Sequence, residues 1–287
     1  MSETDSTPAH VGVLGGGRMG AGIAHAFLLA GSSVTVIERD DTAAAAASDR
    51  VLDSVDASID RGTALEEATS YRARFATGTD VSPFAACDLV IEAVPEDIAL
   101  KIDALTRVEK QLAPGAALAS NTSSISIDEL AAVLENPERF LGMHFFNPVP
   151  ASTLVEIVRG ATTGPALIDD ARGWVRALGK TPIVVADAPG FASSRLGVAI
   201  GLEAIRMLEE GVASAEDIDA AMTLGYKHPV GPLRLTDIVG LDVRLGIAEY
   251  LAAHLGARFE PPALLRRLVA EGHLGRKSGR GFYEWDA

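Results

Sequence analysis

Apolar and polar positions alternate in two different rhythms along this chain. From residue 10 to about 186, short apolar runs recur, separated by longer segments with helical spacing. The runs at 10–15 (HVGVLG), 33–38 (SVTVIE), 89–94 (LVIEAV), 116–120 (AALAS), 140–146 (FLGMHFF), 154–158 (LVEIV) and 182–185 (PIVV) read as strands, several of them buried on both faces. Helices are expected at 19–30, 97–112, 126–135 and 165–178. The Ala-rich stretch 42–67 reads as one or two exposed helices, its alanines serving helix propensity alone. Strands alternating with helices imply an α/β fold with a largely parallel, doubly wound sheet of the Rossmann type.

Near Asp187-Ala188-Pro189-Gly190 the rhythm changes. Residues 196, 200, 204, 207 and 208 are apolar at helical spacing. Ser214 with Asp217 three residues on is a helix-start signature, and further helices are expected at about 233–254 and 262–271. The expected organisation is therefore a domain at 1–186 and a smaller all-α domain at 187–287.

Composition narrows the partners. The 287 residues are 48% hydrophobic with a net charge of −14, which disfavours nucleic acid and anionic membranes. No apolar run reaches the length of a membrane span and no signal-peptide pattern opens the chain, so a cytoplasmic location is expected. The single cysteine, Cys87, cannot form an internal disulfide and reads as a packed thiol. No metal site is expected.

The first apolar run leads into Gly15-Gly16-Gly17-Arg18-Met19-Gly20. Gly-x-Gly-x-x-Gly alone occurs by chance about 0.3 times in a chain this rich in glycine. Its place between a strand and a helix makes it informative: Gly15 for the turn, Gly17 for close approach of a pyrophosphate, Gly20 for helix–strand packing. Glu38 ends the second strand, 18 residues after Gly20, and is expected to accept the adenosine ribose hydroxyls, which favours NAD over NADP. Arg39 beside it leaves NADP open.

Of six histidines, His144 alone ends an apolar strand before a Pro-rich turn, where ligand sites form in open α/β sheets. The other five read as packing or surface residues. Glu156 interrupts the apolar run LVEIV, and a buried carboxylate needs a partner; His144 is the natural one. The hydroxyls of Ser120-Asn121-Thr122-Ser123-Ser124 follow another strand at the same edge, with Ser124 or Ser126 suited to cap the next helix.

Taken together, GGGRMGAGIA, DLVIEAVPED, SNTSSISI, GMHFFNPVP, DAPGF and the terminal GRKSGRGFYEW resemble the L-3-hydroxyacyl-CoA dehydrogenases, in the short 3-hydroxybutyryl-CoA dehydrogenase branch, over residues 10–285. The resemblance implies NAD as cofactor and an acyl-CoA substrate. It implies His144 as general acid/base, Glu156 as its partner and Ser123 on the substrate oxygen. It places NAD contacts at Gly15, Gly16, Gly17, Arg18, Met19, Gly20, Glu38, Glu96, Lys101, Asn147 and Lys277, and acyl-CoA contacts at Ser54 and Arg61. It also implies that the helical domain covers the acyl site and forms a homodimer. One departure stands out: Ser194 occupies the place of the family's usual asparagine, one residue before Arg195. A serine hydroxyl there is shorter and offers less than an amide, which bears on acyl preference.

Three competing readings remain at this point. A 3-hydroxyadipyl-CoA dehydrogenase or an L-gulonate 3-dehydrogenase would share these motifs. A non-enzymatic NAD-binding protein could keep the fold, against which the intact Ser123, His144 and Glu156 speak. The 3-hydroxyisobutyrate type needs a catalytic lysine in the helical domain, and Lys227 in GYKHP is poorly placed for that.

Overall fold

A computed structural model describes residues 5–286 of the chain. They form two compact units that divide between Asp187 and Ala188.

In the first unit the order is β1 (His10–Leu14), α1 (Arg18–Leu29), β2 (Ser33–Ile37), α2 (Asp41–Asp60), α3 (Ala68–Ala73) and β3 (Phe75–Gly78). There follow β4 (Leu89–Glu92), α4 (Ile98–Glu109), β5 (Ala117–Ser120), α5 (Ile127–Ala131), β6 (Phe140–Phe145), β7 (Leu154–Arg159), α6 (Pro165–Ala177) and β8 (Thr181–Ala186). The eight strands make one sheet in the order β3-β2-β1-β4-β5-β6-β7-β8. Every pairing is parallel except β6 with β7. Residues 146–153 cannot carry the chain back for a parallel strand, because such a crossover needs a dozen or more residues. The order reverses between β1 and β4, which opens the crevice at their C-terminal ends where ligands bind in such sheets.

Three sequence expectations change. β3 was not expected: FATG is short and only partly buried, an edge strand without an apolar face. Of the one or two helices expected over 42–67 there is one, α2, which ends at Asp60, just before Gly62 at φ +68°. Nor is α2 merely exposed. Ala44, Ala47, Val51 and Val55 form its buried face, and Ala47 lies so close to Gly16 that a larger side chain at either position would collide. Those alanines are a packing surface as well as helix formers. The helix expected at 126–135 is confined to Ile127–Ala131, capped by Ser126.

The second unit holds α7 (Ser193–Glu209), α8 (Ala215–Ala220), α9 (Pro232–Val239), α10 (Leu241–Leu255) and α11 (Ala263–Ala270). Ser214 caps α8 by accepting from the Asp217 N–H, as its spacing implied. The single helix expected at about 233–254 is two, broken at Gly240 with φ +109°. Its core gathers Val198, Leu202, Ile205, Leu233, Leu241, Leu251 and Leu265. Two buried acids tie the C-terminal segment down. Asp237 accepts from the Phe282 and Tyr283 N–H groups and from Trp285 Nε1, and Asp219 accepts from Tyr283 Oη.

Candidate active site

The glycine turn has the geometry that a dinucleotide requires. Gly15 has φ +95°, and a Cβ there would press on the Ala93 carbonyl at 2.8 Å. A Cβ on Gly20 would collide with the Gly15 carbonyl oxygen, so only glycine lets α1 start this close to β1. Above Gly17, by contrast, a side chain would meet nothing within 4 Å. Gly17 is the N-cap of α1 and gives no side-chain cap, and no acid occupies the first turn. The helix therefore offers uncapped N–H groups and its positive end to an anion. These residues fit a dinucleotide pyrophosphate. Gly17 and Arg18 are exposed, and Met19 is half-buried.

Glu38 sits where the sequence placed it, at the end of β2. Its Oε1 accepts from the Gly16 N–H at 2.7 Å and its Oε2 from the Arg39 N–H at 3.1 Å, so the acid also fixes the glycine turn. Arg50 donates to the Gly16 carbonyl from the other side. The exposed Arg39 guanidinium is paired with Asp40 at 3.0 Å.

A second group of polar residues gathers where β4 and β5 end. Glu92 is fully buried; it accepts from Lys101 Nζ at 2.7 Å, Ser120 Oγ at 2.6 Å and the Val94 N–H at 2.7 Å. Lys101 is 1% exposed, not a solvated surface charge. Its ammonium donates to Glu92 and the Val94 carbonyl and lies 3.4 Å from Glu96 Oε2. With three acceptors around three hydrogens, Lys101 holds Glu96 in place. Glu96 Oε1 in turn accepts from Thr122 Oγ1 at 2.7 Å, the Ser123 N–H at 2.9 Å and the Ser124 N–H at 3.0 Å, with Ser123 Oγ at 3.3 Å. Partial burial alone would raise the Glu96 pKa, but Lys101 and these hydrogen bonds hold it below the ordinary carboxylate value. Glu96 thus organises the SNTSS loop that carries Ser123.

His144 lies on β6 directly across from Glu156 on β7, as register partners of the one antiparallel pairing. Nδ1 donates to Glu156 Oε2 at 2.8 Å. His144 is 6% exposed and Glu156 fully buried. The same antiparallel step that departs from the doubly wound pattern therefore creates the pair. Asn121 joins this edge to the serine loop, its Oδ1 accepting from the Phe145 N–H at 2.8 Å. Asn147 is exposed two residues beyond β6.

Ser54 and Arg61 line one groove of about 950 Å³ together with His25, Ser58, Pro148 and Lys180. His25 is buried against Ser58 Oγ at 2.9 Å, and burial lowers its pKa, leaving a neutral imidazole. Lys180 Nζ donates to the Val149 and Ser152 carbonyls. Two cations on a groove in an acidic chain fit an anionic ligand.

In the second unit, Ser194 lies in the first turn of α7. Lys277 is bound to Asp242 Oδ2 at 2.6 Å, at the start of α10.

Glu92, Asn121 and Lys180 had not been identified from sequence. Glu92 carries the signal that found Glu156, an acid inside an apolar run (LVIEAV); Asn121 lies in the SNTSS motif without a role of its own, and Lys180 carries no signal. Cys87 is buried, and burial pushes its thiol up to about 11, with Asp88 adding to the shift.

Comparison with known proteins agrees with this geometry. Residues 10–188 match the model of the 3-hydroxyacyl-CoA dehydrogenase NAD-binding domain, and residues 190–285 that of the 3-hydroxyacyl-CoA dehydrogenase C-terminal domain. The chain is 42% identical to a 3-hydroxybutyryl-CoA dehydrogenase of Mycobacterium tuberculosis, over 96% of this chain and 98% of that protein. It is 41% identical to a probable 3-hydroxybutyryl-CoA dehydrogenase of Bacillus subtilis, over 96% of each. The crystal structure of (S)-3-hydroxybutyryl-CoA dehydrogenase from Ralstonia eutropha superposes with a TM-score of 0.93 at 40% identity, covering 98% of this chain and 100% of that one. The chain belongs to the 3-hydroxyacyl-CoA dehydrogenase family and is an NAD-dependent oxidoreductase of that family.

Proposed function

We propose that this enzyme interconverts a short L-3-hydroxyacyl-CoA, such as 3-hydroxybutyryl-CoA, and the matching 3-ketoacyl-CoA, with His144 as general acid/base. The observation that carries the reading is the buried His144–Glu156 pair at 2.8 Å. With Nδ1 donating to the carboxylate, Nε2 is the nitrogen that exchanges a proton with the substrate. It takes the hydroxyl proton during oxidation and returns it to the ketone during reduction. Glu156 fixes the tautomer and stabilises the imidazolium while the proton is held. NAD, when bound, supplies the hydride acceptor. The Gly15–Gly20 turn holds its pyrophosphate, Glu38 its ribose, and Asn147 and Lys277 contribute further contacts. Ser123 positions the substrate oxygen, on a loop that Glu96 and Lys101 brace. Ser54 and Arg61 hold the CoA portion in their groove.

Finer features of the same reading concern assembly and place. In the second unit Leu196, Ile200, Val239 and Val243 are exposed. A homodimer formed through that unit would cover them, and sedimentation at micromolar concentration tests it. No helix among the described residues is long and apolar enough to cross a membrane, in keeping with a cytoplasmic enzyme. NADH oxidation with acetoacetyl-CoA tests the function itself. Turnover there and none with L-gulonate and NAD supports the reading; the reverse result moves the enzyme to the sugar-acid branch.

A further inference from the structure

The groove that Ser54 and Arg61 line lies wholly within the first unit, among the second half of α1, the end of α2, the turn after β6 and the end of α6. Its cations have no acid of their own. Lys180, the residue before β8, spends two of its three ammonium hydrogens, on the Val149 carbonyl at 2.7 Å and the Ser152 carbonyl at 2.5 Å. Arg61 Nη2 donates to Ser58 Oγ at 3.4 Å. Neither cation forms an ion pair among the described residues, and Asp53, the one acid on the groove wall, pairs with neither. Burial lowers the Lys180 pKa, with no acid's charge to offset it.

The two cations work on one place. Burial lowers the His25 pKa, and the charges of Arg61 and Lys180 push it the same way, so both stand near a single neutral imidazole. His25 Nε2 and Ser58 Oγ are 2.9 Å apart, which ties that imidazole to the hydroxyl that meets Arg61. Around them the walls are apolar, with Ala26, Leu29, Ala57 and Leu178. Unpaired cations beside an apolar slot suit a ligand that carries phosphate next to a flat apolar body, as a nucleotide does.

The pyrophosphate of NAD is not that ligand. It belongs at the N-terminus of α1, and at about 1.5 Å per residue His25 stands about 12 Å along the helix from Gly17, with Leu29 further still. The other nucleotide of the reaction is the one on CoA. The groove also adjoins the reacting end of the sheet: Pro148, Pro150 and Ala151 line it, and they belong to the turn that follows His144 and β6.

We propose that Lys180 is a substrate-binding residue that, together with Arg61, takes a phosphate group of CoA on its third hydrogen while its other two hold the turn after β6. This rests on the acyl-CoA reading given above and adds to it a residue and the part of the substrate that residue reads.

The test measures kcat/KM of the full chain with NADH and three thioesters: acetoacetyl-CoA, acetoacetyl-dephospho-CoA and acetoacetyl-pantetheine. All three carry the same reacting group, so any loosening of the turn cancels from their ratios. The wild type should prefer acetoacetyl-CoA to the pantetheine thioester by about tenfold or more, the worth of a charge-assisted contact. Lys180→Gln removes the charge but keeps two amide hydrogens for the turn carbonyls, and should lose about tenfold of that preference. Lys180→Arg, which keeps the charge, should retain most of it. A preference lost against the dephospho compound marks the 3′-phosphate as the group bound; one lost only against the pantetheine compound marks the pyrophosphate; either supports the inference. In the unaltered enzyme, CoA should protect Lys180 from acetic anhydride, read by peptide mass spectrometry, and pantetheine should not. Equal kcat/KM for all three thioesters in the wild type, an unaltered preference in Lys180→Gln, or equal labelling under CoA and pantetheine overturns the inference while the proposed function stands. No NADH oxidation with any of the three refutes the proposed function, and this inference with it.

Discussion

Replacing Glu156 with Gln separates two things its carboxylate does. Glutamine keeps an oxygen that can accept from His144 Nδ1, so the tautomer and the ring orientation survive. What is lost is the negative charge beside an imidazole that becomes positive when it takes the substrate proton. The Nδ1–Oε2 distance is 2.8 Å, and both side chains are buried. With charge centres about 4 Å apart and an effective dielectric constant of about 20, the attraction is about 4 kcal/mol. At about 1.4 kcal/mol per tenfold, that bounds the loss at about 10³ in rate. Only part of the charge has developed at the transition state, so kcat for acetoacetyl-CoA reduction should fall by about 10² to 10³. NADH affinity, followed by fluorescence titration, should stay within about twofold, because neither residue belongs to the glycine turn. Glu156→Ala removes the acceptor as well and should lose more. A Glu156→Gln enzyme within about threefold of wild-type kcat would refute the electrostatic role of this residue.

Lys101→Met strands the fully buried Glu92 carboxylate, and should cost about 3–5 kcal/mol in urea unfolding. A loss under about 1 kcal/mol would show that the pair is not the brace described. Gly20→Ala forces a methyl group into the Gly15 carbonyl and should weaken NADH binding by more than about tenfold as well as lowering Tm; unchanged binding by calorimetry would remove the turn from the cofactor site. The Cys87 thiol, raised to about 11, is protonated and enclosed at pH 8, so Ellman's reagent should leave it unmodified until the protein is unfolded. Rapid labelling of the folded enzyme would contradict that burial.

Most of the fold could be read from the chain because the central strands are buried on both faces and write themselves as apolar runs. β3 could not: four partly buried residues at a sheet edge carry no such run. The break at Gly240 was hidden because the apolar spacing continues through it and only the backbone at φ +109° interrupts the helix. At the site, His144 and Glu156 were legible as a polar residue at a strand end and an acid within a strand. Their register was not, since it depends on the antiparallel return of β7. Lys101 looks like a surface charge in PEDIALK; it is buried because Glu92, at the end of β4, binds its ammonium inside the fold. Arg244, buried on α10, gave no signal either, because an arginine on a helix is ordinarily solvated and only its packing over Gly197 of α7 reveals otherwise.

The measurement that bears most directly on the central claim is NADH oxidation at 340 nm with acetoacetyl-CoA, run on the wild type and on His144→Gln side by side with NADH titrations of both. The account predicts turnover by the wild type, a loss of about 10² or more in His144→Gln, and equal NADH affinity. A wild type that binds NADH but turns over no 3-ketoacyl-CoA, or a His144→Gln enzyme with near-normal turnover, would contradict it.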